Sequence, residues 1–486
     1  MLQGIENYLD EDLVPPAINK DNITQMLHKY DDVETPFGQI VSSFEFRSTP
    51  TDEPEQIKYL NPFALLWWLS QISYNFYTFL SKALPAHIGR TVFYTDEVFP
   101  ANSERRPDKG RAFYAFYWTI LEFPDWFRSR SEFPYFVFAY VPSKLITNQF
   151  SLTRLFKKII HVFFAQDGFN LATTGVRIEH KHHQFVLRLK YGATIMDEEA
   201  FRALMSVKGH SGTKPCLSCQ NVVGRVGPYE EFDDDYLVHV LSPESDRFIQ
   251  HTTDTFKVMC NNISTAVLEG RPKIEVAKLE KIYGVNYVED GVLFDDHCLD
   301  VMRFPEDANW DPMHVLFTHG GVGQYHCNGF IKKLVDNGIE LTELDTRTSK
   351  IQIPNYQFIK PGWIIDRFVY SDAAHIKAFA SDCIAMIDCI SLFVQAVLAG
   401  TAFYTRLLPY MKCFRYLKCI CDIIRTKSAS HGAIRKLRQV VKQHHNLFMD
   451  LYPQLCKSKL HYLTHIPDNI EKFKTCLLYT SDAADE

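Results

Sequence analysis

Residues 90–98 have the sequence RTVFYTDEV, and residues 184–195 have the sequence QFVLRLKYGATI. Both stretches are rich in β-branched and aromatic residues, a composition that favours β-strands. Asp96 lies near the carboxyl end of the first stretch, and Asp197 follows the second. The way in which these two strands pair therefore decides whether the two acids can share a site.

The segments between and after these strands predict two more strands and two helices. Their sequences are RAFYAFYWTILEF (strand, 111–123), YFVFAYV (strand, 135–141), SLTRLFKKIIHVFFA (helix, 151–165) and DEEAFRALMSV (helix, 197–207). Three successive strands, a helix, a fourth strand and a helix are the element order of an RNase H-like α/β core. In that fold the first and fourth strands are neighbours, so we expect Asp96 and Asp197 to converge.

The rest of the chain divides by pattern around this core, residues 90–207. The predicted regions are a helical and irregular N-terminal region (1–89), an insertion with mixed signals (208–365), an apolar helix (366–400) and a C-terminal helical region (401–475). Residues 383–401 are the most apolar segment, but Asp388 and Gln395 interrupt it. We therefore predict a buried helix there rather than a membrane span.

Composition excludes some classes of protein. The chain has 486 residues, of which 46% are hydrophobic and 23% are charged, as in ordinary globular proteins. A net charge of −6 argues against a purely electrostatic DNA binder. A basic stretch, residues 406–442, is either a phosphate-facing surface or a solvated helix face. The cysteines follow no regular framework and the N-terminus lacks a signal-peptide pattern, so we expect reduced thiols in the cytosol or nucleus.

Cys216 and Cys219 form a Cys-x-x-Cys motif, which supplies half of a tetrahedral zinc site. Two buried reduced cysteines are the alternative interpretation, and no thioredoxin-like context supports a redox role. His210 lies near the thiols in sequence. His461 and His465 are four positions apart and would share a helix face, where they could support a site, bind DNA or pack at a helix terminus.

Five motifs occur in order along the chain. They are TDEVFPAN (95–102), RAFYAFYWTILEF (111–123), KGHSGTKPCLSC (208–219), DPMH (311–314) and HIKAFASDCIAMI (375–387). Together they resemble DDE transposases with an RNase H-like catalytic core, related to the CACTA-type cut-and-paste transposases in their protist form. The resemblance spans about residues 90–470 and rests on the order and spacing of short motifs.

The resemblance implies three catalytic acids, Asp96, Asp197 and Asp382, which would hold Mg²⁺ or Mn²⁺. Two such cations about 3.5–4 Å apart can activate the attacking oxygen and neutralise the leaving one. The family usually carries Glu at the third position, so Asp382 is a departure, and Asp372 and Asp388 are nearby alternatives. From the residues alone, Asp96 could be a strand-end turn acid and Asp197 a helix N-cap.

The resemblance also implies that His314 is the third ligand of a zinc ion held by Cys216 and Cys219. Asp311 would be the fourth ligand, would orient His314, or would serve the active site. The implied partner is DNA, at transposon ends and target, and the implied assembly is a homo-oligomer in the nucleus, with no membrane partner. The rival interpretations are an inactive or domesticated zinc-stabilised module that binds DNA or protein, and an RNase H-like nuclease without strand transfer.

The last residues, 476–486, have the sequence CLLYTSDAADE, which resembles one reading frame of the adapter used in transposon-based sequencing libraries. A short acidic tail is the alternative. On the adapter interpretation this segment is not biological, and the native chain would continue beyond Thr475. We therefore exclude it from the prediction of the fold.

Overall fold

The computed structural model forms two compact units of mixed α/β structure. It describes residues 33–98, 112–124, 127, 135–195, 198–209, 213–224, 236–242, 245–352, 359–398, 400–426 and 430–474. The first unit comprises the chain up to Lys208 together with His251–Ala308. The second comprises Gly209–Gln250 and the chain from Asn309 onward. The predicted 208–365 insertion is divided between these two units.

The first unit contains the predicted sheet. Its elements are β1 (Glu34–Thr35), β2 (Gly38–Gln39), β3 (Val41–Phe46), β4 (Glu55–Leu60), α1 (Pro62–Ile72), α2 (Tyr74–Ala83), β5 (Ile88–Val98), β6 (Phe113–Ile120), β7 (Phe136–Pro142), α3 (Ser151–Phe163), β8 (Val176–His180), β9 (His183–Ile195), α4 (Glu198–Met205), α5 (Thr253–Leu268), α6 (Lys273–Tyr283) and α7 (Asp296–Met302).

Five strands form one mixed sheet in the order β7-β6-β5-β9-β8. β6 pairs antiparallel with β5 and with β7, whereas β5 pairs parallel with β9. The four predicted strands and the helix between them are thereby confirmed. The fifth strand, β8, was not predicted, and it forms an antiparallel hairpin with β9 through a turn at Lys181 and His182.

A bulge in β9 sets the register between the two parallel strands. Arg90 pairs with Lys190 before the bulge, and Val92 pairs with Ala193 after it, so β9 carries one extra residue. That bulge includes Gly192, where a Cβ atom would lie 2.7 Å from the carbonyl oxygen of Thr91. Glycine permits this close approach of the two backbones.

Helix α3 covers one face of the sheet through aromatic contacts. The ring of Phe163 lies 4.9 Å from that of Phe93, 5.3 Å from that of Trp118 and 5.4 Å from that of Phe138. These side chains come from three adjacent strands and are all buried. Because such ring pairs each add about 0.5–1.5 kcal/mol beyond area burial, α3 fixes the three strands to one another.

The N-terminal region differs from the predicted helical region. Its described part contains the antiparallel strands β3 and β4 as well as two helices. The apolar stretch after Asn61 forms two helices that meet at Ser73, whose hydroxyl caps α2 by accepting a hydrogen bond from the backbone N–H of Phe76 at 3.1 Å. Serine competes for backbone hydrogen bonds in this way, so it favours a helix start over a helix interior.

The second unit is mainly helical. Its elements are β10 (Val222–Val223), β11 (Val238–His239), α8 (Pro312–Leu316), α9 (Val322–Asp336), α10 (Leu341–Thr348), α11 (Trp363–Arg367), α12 (Ala380–Phe393), α13 (Ala402–Arg425), α14 (His431–Leu451) and α15 (Lys459–Phe473). In the described chain one helical segment, Ala380–Leu398, is long and apolar enough to cross a membrane, and 56% of its apolar window is buried inside the protein. Its burial is that of a core helix, in agreement with the sequence prediction.

Replacing the bulge glycine, Gly192→Ala, should lower the free energy of unfolding by about 1–3 kcal/mol, the usual cost of overpacking. The added methyl group would meet the backbone oxygen of Thr91, which cannot rotate away. Urea denaturation measures the loss. Gly432→Ala is the control, because a Cβ there meets nothing within 4 Å. Equal stability of the two variants would contradict this account of the bulge.

Candidate functional site

Two cysteines and two histidines of the second unit form a buried group. The ligand atoms of Cys216, Cys219, His461 and His465 all lie within 4.8 Å of one another. Sγ of Cys216 lies 3.3 Å from Nε2 of His465, and Sγ of Cys219 lies 3.6 Å from Nε2 of both histidines. The two Nε2 atoms are 3.1 Å apart. Four soft or borderline donors therefore point at one common centre.

The group joins two segments that are far apart in sequence. The cysteines lie in the loop after residue 212, and the histidines are one helical turn apart on α15. The hydroxyl of Tyr462 donates a hydrogen bond to the carbonyl oxygen of Pro215 at 2.9 Å. The indole N–H of Trp310 donates to the hydroxyl of Ser218 at 3.1 Å, and its ring stacks on Tyr462 at 4.1 Å. These contacts hold the loop against α15.

The electrostatics of the group favour a thiolate. Burial by itself raises the pKa of Cys216, but the hydrogen bond with Cys219 and the nearby imidazoles of His461 and His465 hold it well below its usual value. Lys214 is also buried, and its ammonium group donates a hydrogen bond to the carbonyl oxygen of Gln220 at 3.0 Å. Burial lowers the pKa of Lys214 to about 8, against the attraction of the two thiols.

The donor set suits zinc. Two cysteine sulfurs and two histidine nitrogens are a common set of ligands for tetrahedral Zn²⁺. All four side chains are buried, and four protein ligands leave no open position for a substrate. These residues can therefore hold a metal ion such as zinc, in the closed arrangement typical of structural rather than catalytic sites.

His314 and Asp311, the sequence-predicted partners of the cysteines, have a different arrangement. Asp311 caps α8: one carboxylate oxygen accepts from the backbone N–H of Met313 at 3.0 Å, and the other is paired with Nδ1 of His314. The carbonyl oxygen of His314 accepts a hydrogen bond from Nζ of Lys459 at 3.0 Å. His461 and His465 thus complete the group in the described chain. Asp311 thus holds the ring of His314, which is not among the four grouped ligands. The contact of His314 with Lys459 anchors the start of α15.

Asp96 lies at the end of β5 in the first unit and is half-buried. Its Oδ2 accepts a hydrogen bond from the Tyr94 hydroxyl at 2.7 Å, and its Oδ1 accepts one from the backbone N–H of Glu97 at 2.8 Å. Burial and the charges of Glu97, Glu199 and Asp96 raise the pKa of the nearby Tyr114 to about 12. Several carboxylates therefore lie near the carboxyl end of β5.

The remaining predicted acids are outside the described residues or are paired with cations. Asp197, like His210, lies outside the described residues. Asp382 is buried on α12, and its Oδ2 accepts from Nε and Nη2 of Arg367 at 2.8 and 2.6 Å. The two alternatives are also in ion pairs. Asp372 lies 3.2 Å from Nζ of Lys332, and Asp388 contacts Lys418 and Arg425 at 3.4 and 2.9 Å.

The sequence contained a signal for the two histidine ligands. Two histidines four positions apart on a helix can supply half of a metal site, as two cysteines three positions apart can supply the other half. The spacing alone is equally typical of helix packing. Contact with the Cys216 loop distinguishes the two interpretations.

Comparison with protein-family models finds no matching family, and comparison with curated proteins finds no significant relative.

We expect the protein to bind zinc through this group. Cys216→Ser combined with Cys219→Ser, and separately His465→Gln, should each lose one equivalent of zinc, whereas His314→Gln should keep it. Elemental analysis of folded, dialysed protein measures the content. Cys260→Ser, a buried cysteine of the first unit, is the matched control. Loss of zinc in His314→Gln with retention in His465→Gln would contradict the assignment.

Proposed function

We propose that the chain is a DNA transposase that cleaves phosphodiester bonds and joins strands with divalent metal ions held by Asp96 and Asp197. One observation carries the proposal: β5 and β9 pair in parallel with Tyr94 opposite Ile195. In the sequence, Asp96 and Asp197 each follow a member of this pair by two residues. Neighbouring strands lie about 4.8 Å apart, a separation that lets two carboxylates share a cation.

The bulge at Gly192 supports the proposal. Asp96 and Asp197 are equally distant in sequence from the pair Tyr94 and Ile195, which follows the bulge, but not from the pair Arg90 and Lys190, which precedes it. A slip of one residue turns a side chain to the opposite face of a sheet. The extra residue in β9 therefore supplies the register that the proposal requires.

The order and directions of the strands also agree with the proposal. An RNase H-like core begins with three antiparallel strands and a helix and sets the fourth strand parallel to the first, as β5, β6, β7, α3 and β9 are arranged here. The strand β8, antiparallel to β9, is an addition to that order of elements. Because one fold hosts many activities, the carboxylates rather than the sheet carry the functional argument.

The residues around Asp96 fit a hard cation. Carboxylate oxygens are the ligands that Mg²⁺ and Mn²⁺ prefer, and the Tyr94 hydroxyl and Glu97 amide fix the orientation of the Asp96 carboxylate. When bound, the metal ions would supply Lewis acidity and an activated water. Glu97 and Glu199 would add negative potential that attracts the cations.

The third acid stays a prediction. Asp382 is charge-paired with Arg367, whose guanidinium also lies 4.9 Å from the Trp363 ring. That arrangement favours a second candidate function, a catalytically inactive module that the cysteine and histidine group stabilises and that binds DNA or protein. In that case Asp96 would be a turn acid only.

Asp96→Asn should reduce metal-dependent DNA cleavage by about a hundredfold or more, because an amide binds a hard cation far more weakly than a carboxylate does. The assay incubates the full chain with supercoiled plasmid and Mg²⁺ or Mn²⁺ and follows nicking. Asp167→Asn, at an exposed turn of the first unit, is the matched control.

Nicking that is equal in wild type and Asp96→Asn would refute the proposal, provided both proteins are folded by circular dichroism. Absence of nicking in wild type would favour the binding module.

A labelled oligonucleotide with a free 3′-hydroxyl, added to the same plasmid, distinguishes a transposase from a nuclease. Joined products support a transposase, and nicking without joining identifies a nuclease.

A further inference from the structure

A second buried group of metal-binding side chains lies in the second unit. The ligand atoms of His326 on α9, Cys413 on α13 and His444 on α14 are within 4.8 Å of one another. All three side chains have 0% exposure. Nδ1 of His326 lies 3.1 Å from Nε2 of His444. Three helices thus bring three donors to one point inside the core.

This group is polar but poorly satisfied. Within the described chain, Nε2 of His326, Nδ1 of His444 and the hydroxyl of Tyr452 are buried without a hydrogen-bond partner. The thiol of Cys413 has a weak contact of 3.8 Å with the carbonyl oxygen of His444. Buried polar atoms are nearly always paired in proteins, and a bound ion would account for the unpaired Tyr452 hydroxyl. The two unpaired nitrogens are not the atoms that would bind the ion, so the inference rests on the convergence of Nδ1 of His326, Nε2 of His444 and Sγ of Cys413.

The surroundings keep the imidazoles neutral. The rings of Phe414, Phe448 and Tyr452 lie 5.1, 5.0 and 5.4 Å from that of His326. In such an apolar, fully buried surrounding, the uncharged imidazole is the favoured form. A neutral imidazole is the form that binds a metal ion.

We propose that His326, Cys413 and His444 hold a second metal ion, most simply Zn²⁺, separate from the one at the Cys216 group. Nδ1 of His326, Nε2 of His444 and Sγ of Cys413 are the three ligand atoms. Tyr452 supplies the nearby hydroxyl that can fill or support the fourth position. On binding, the Cys413 thiol releases one proton to solvent, and each imidazole keeps its single proton on the nitrogen that faces away from the metal.

Helix α14 lies beside both groups. His444 on this helix belongs to the second group, and the next residue, His445, is near enough to His461 of the first group for the two imidazoles to interact. Helix α14 therefore contributes one ligand to the second group and one neighbour to the first. Each group nevertheless has its own ligands, so the two metal ions can be removed independently.

The test counts metal ions in the full chain. Purified wild type, dialysed against excess zinc and then metal-free buffer, should contain two equivalents of zinc by elemental analysis. Cys413→Ala and, separately, His326→Gln should each contain one. Cys421→Ala is the matched control, because Cys421 is a buried cysteine on the same helix outside both metal-binding groups. It should contain two.

Cobalt substitution identifies which site is lost. The thiolate-to-cobalt charge-transfer absorption should fall by about a third in Cys413→Ala, which removes one of three thiolates. It should fall by about two thirds in the double variant Cys216→Ser with Cys219→Ser, which removes two. One zinc in wild type that persists in Cys413→Ala would overturn the second site and leave the first intact. One zinc that the double cysteine variant keeps and Cys413→Ala loses would support the second site and refute the first.

The test does not depend on the folding of any variant, because the zinc content and the cobalt spectrum of the wild-type protein decide whether the second site exists. Two equivalents of zinc with the absorption of three thiolates support it. One equivalent with the absorption of two thiolates, or no zinc at all, means that His326 and His444 form only a hydrogen-bonded pair.

Discussion

The parallel pairing of β5 with β9 is the constraint on which the first unit depends. Parallel neighbours cannot be joined by a tight turn, so a crossover must connect them. In this chain α3 and β8 belong to that crossover, and the ring of Phe163 then fixes α3 over Phe93 of β5. Gly192 adds a purely local condition, the close approach of two backbones, which selects the register. A long-range pairing and a single glycine together determine which side chains stand beside Asp96.

A different constraint governs the second unit. Its helices bury polar histidine and cysteine side chains, and burial of such groups is costly unless they are paired. At the Cys216 group, two thiols and two imidazoles face one another, and a cation such as zinc can bind all four side chains. A closed set of four protein ligands contributes folding free energy rather than chemistry. The last helix, α15, is held to the Cys216 loop by this group and by the stacking of Trp310 on Tyr462.

The sequence predicted the four long strands and α3 because their signals are local, namely alternating β-branched and aromatic residues bounded by turn formers. It did not predict β8, whose five residues end at His180 beside a polar, histidine-rich turn. The spacing of His461 and His465 does not by itself identify them as metal ligands, because histidines that only pack at a helix terminus can have the same spacing. Only the tertiary contact with the Cys216 loop distinguishes the two roles. The ion pair between Asp382 and Arg367 could not be predicted either. The two residues are fifteen positions apart, and no sequence pattern indicates that residues at this separation pair.

The two interpretations of Asp96 differ in what should surround it. A turn acid is satisfied by backbone N–H groups close to it, and the amide of Glu97 provides one. The buried side chain of Tyr94 holds the other oxygen, which a turn does not require. Glu97 and Glu199 bring further carboxylates to the same region, where their charges reach Tyr114. A turn does not require additional acids, whereas a site for a divalent cation does, so the surroundings of Asp96 favour the proposed cation-binding role.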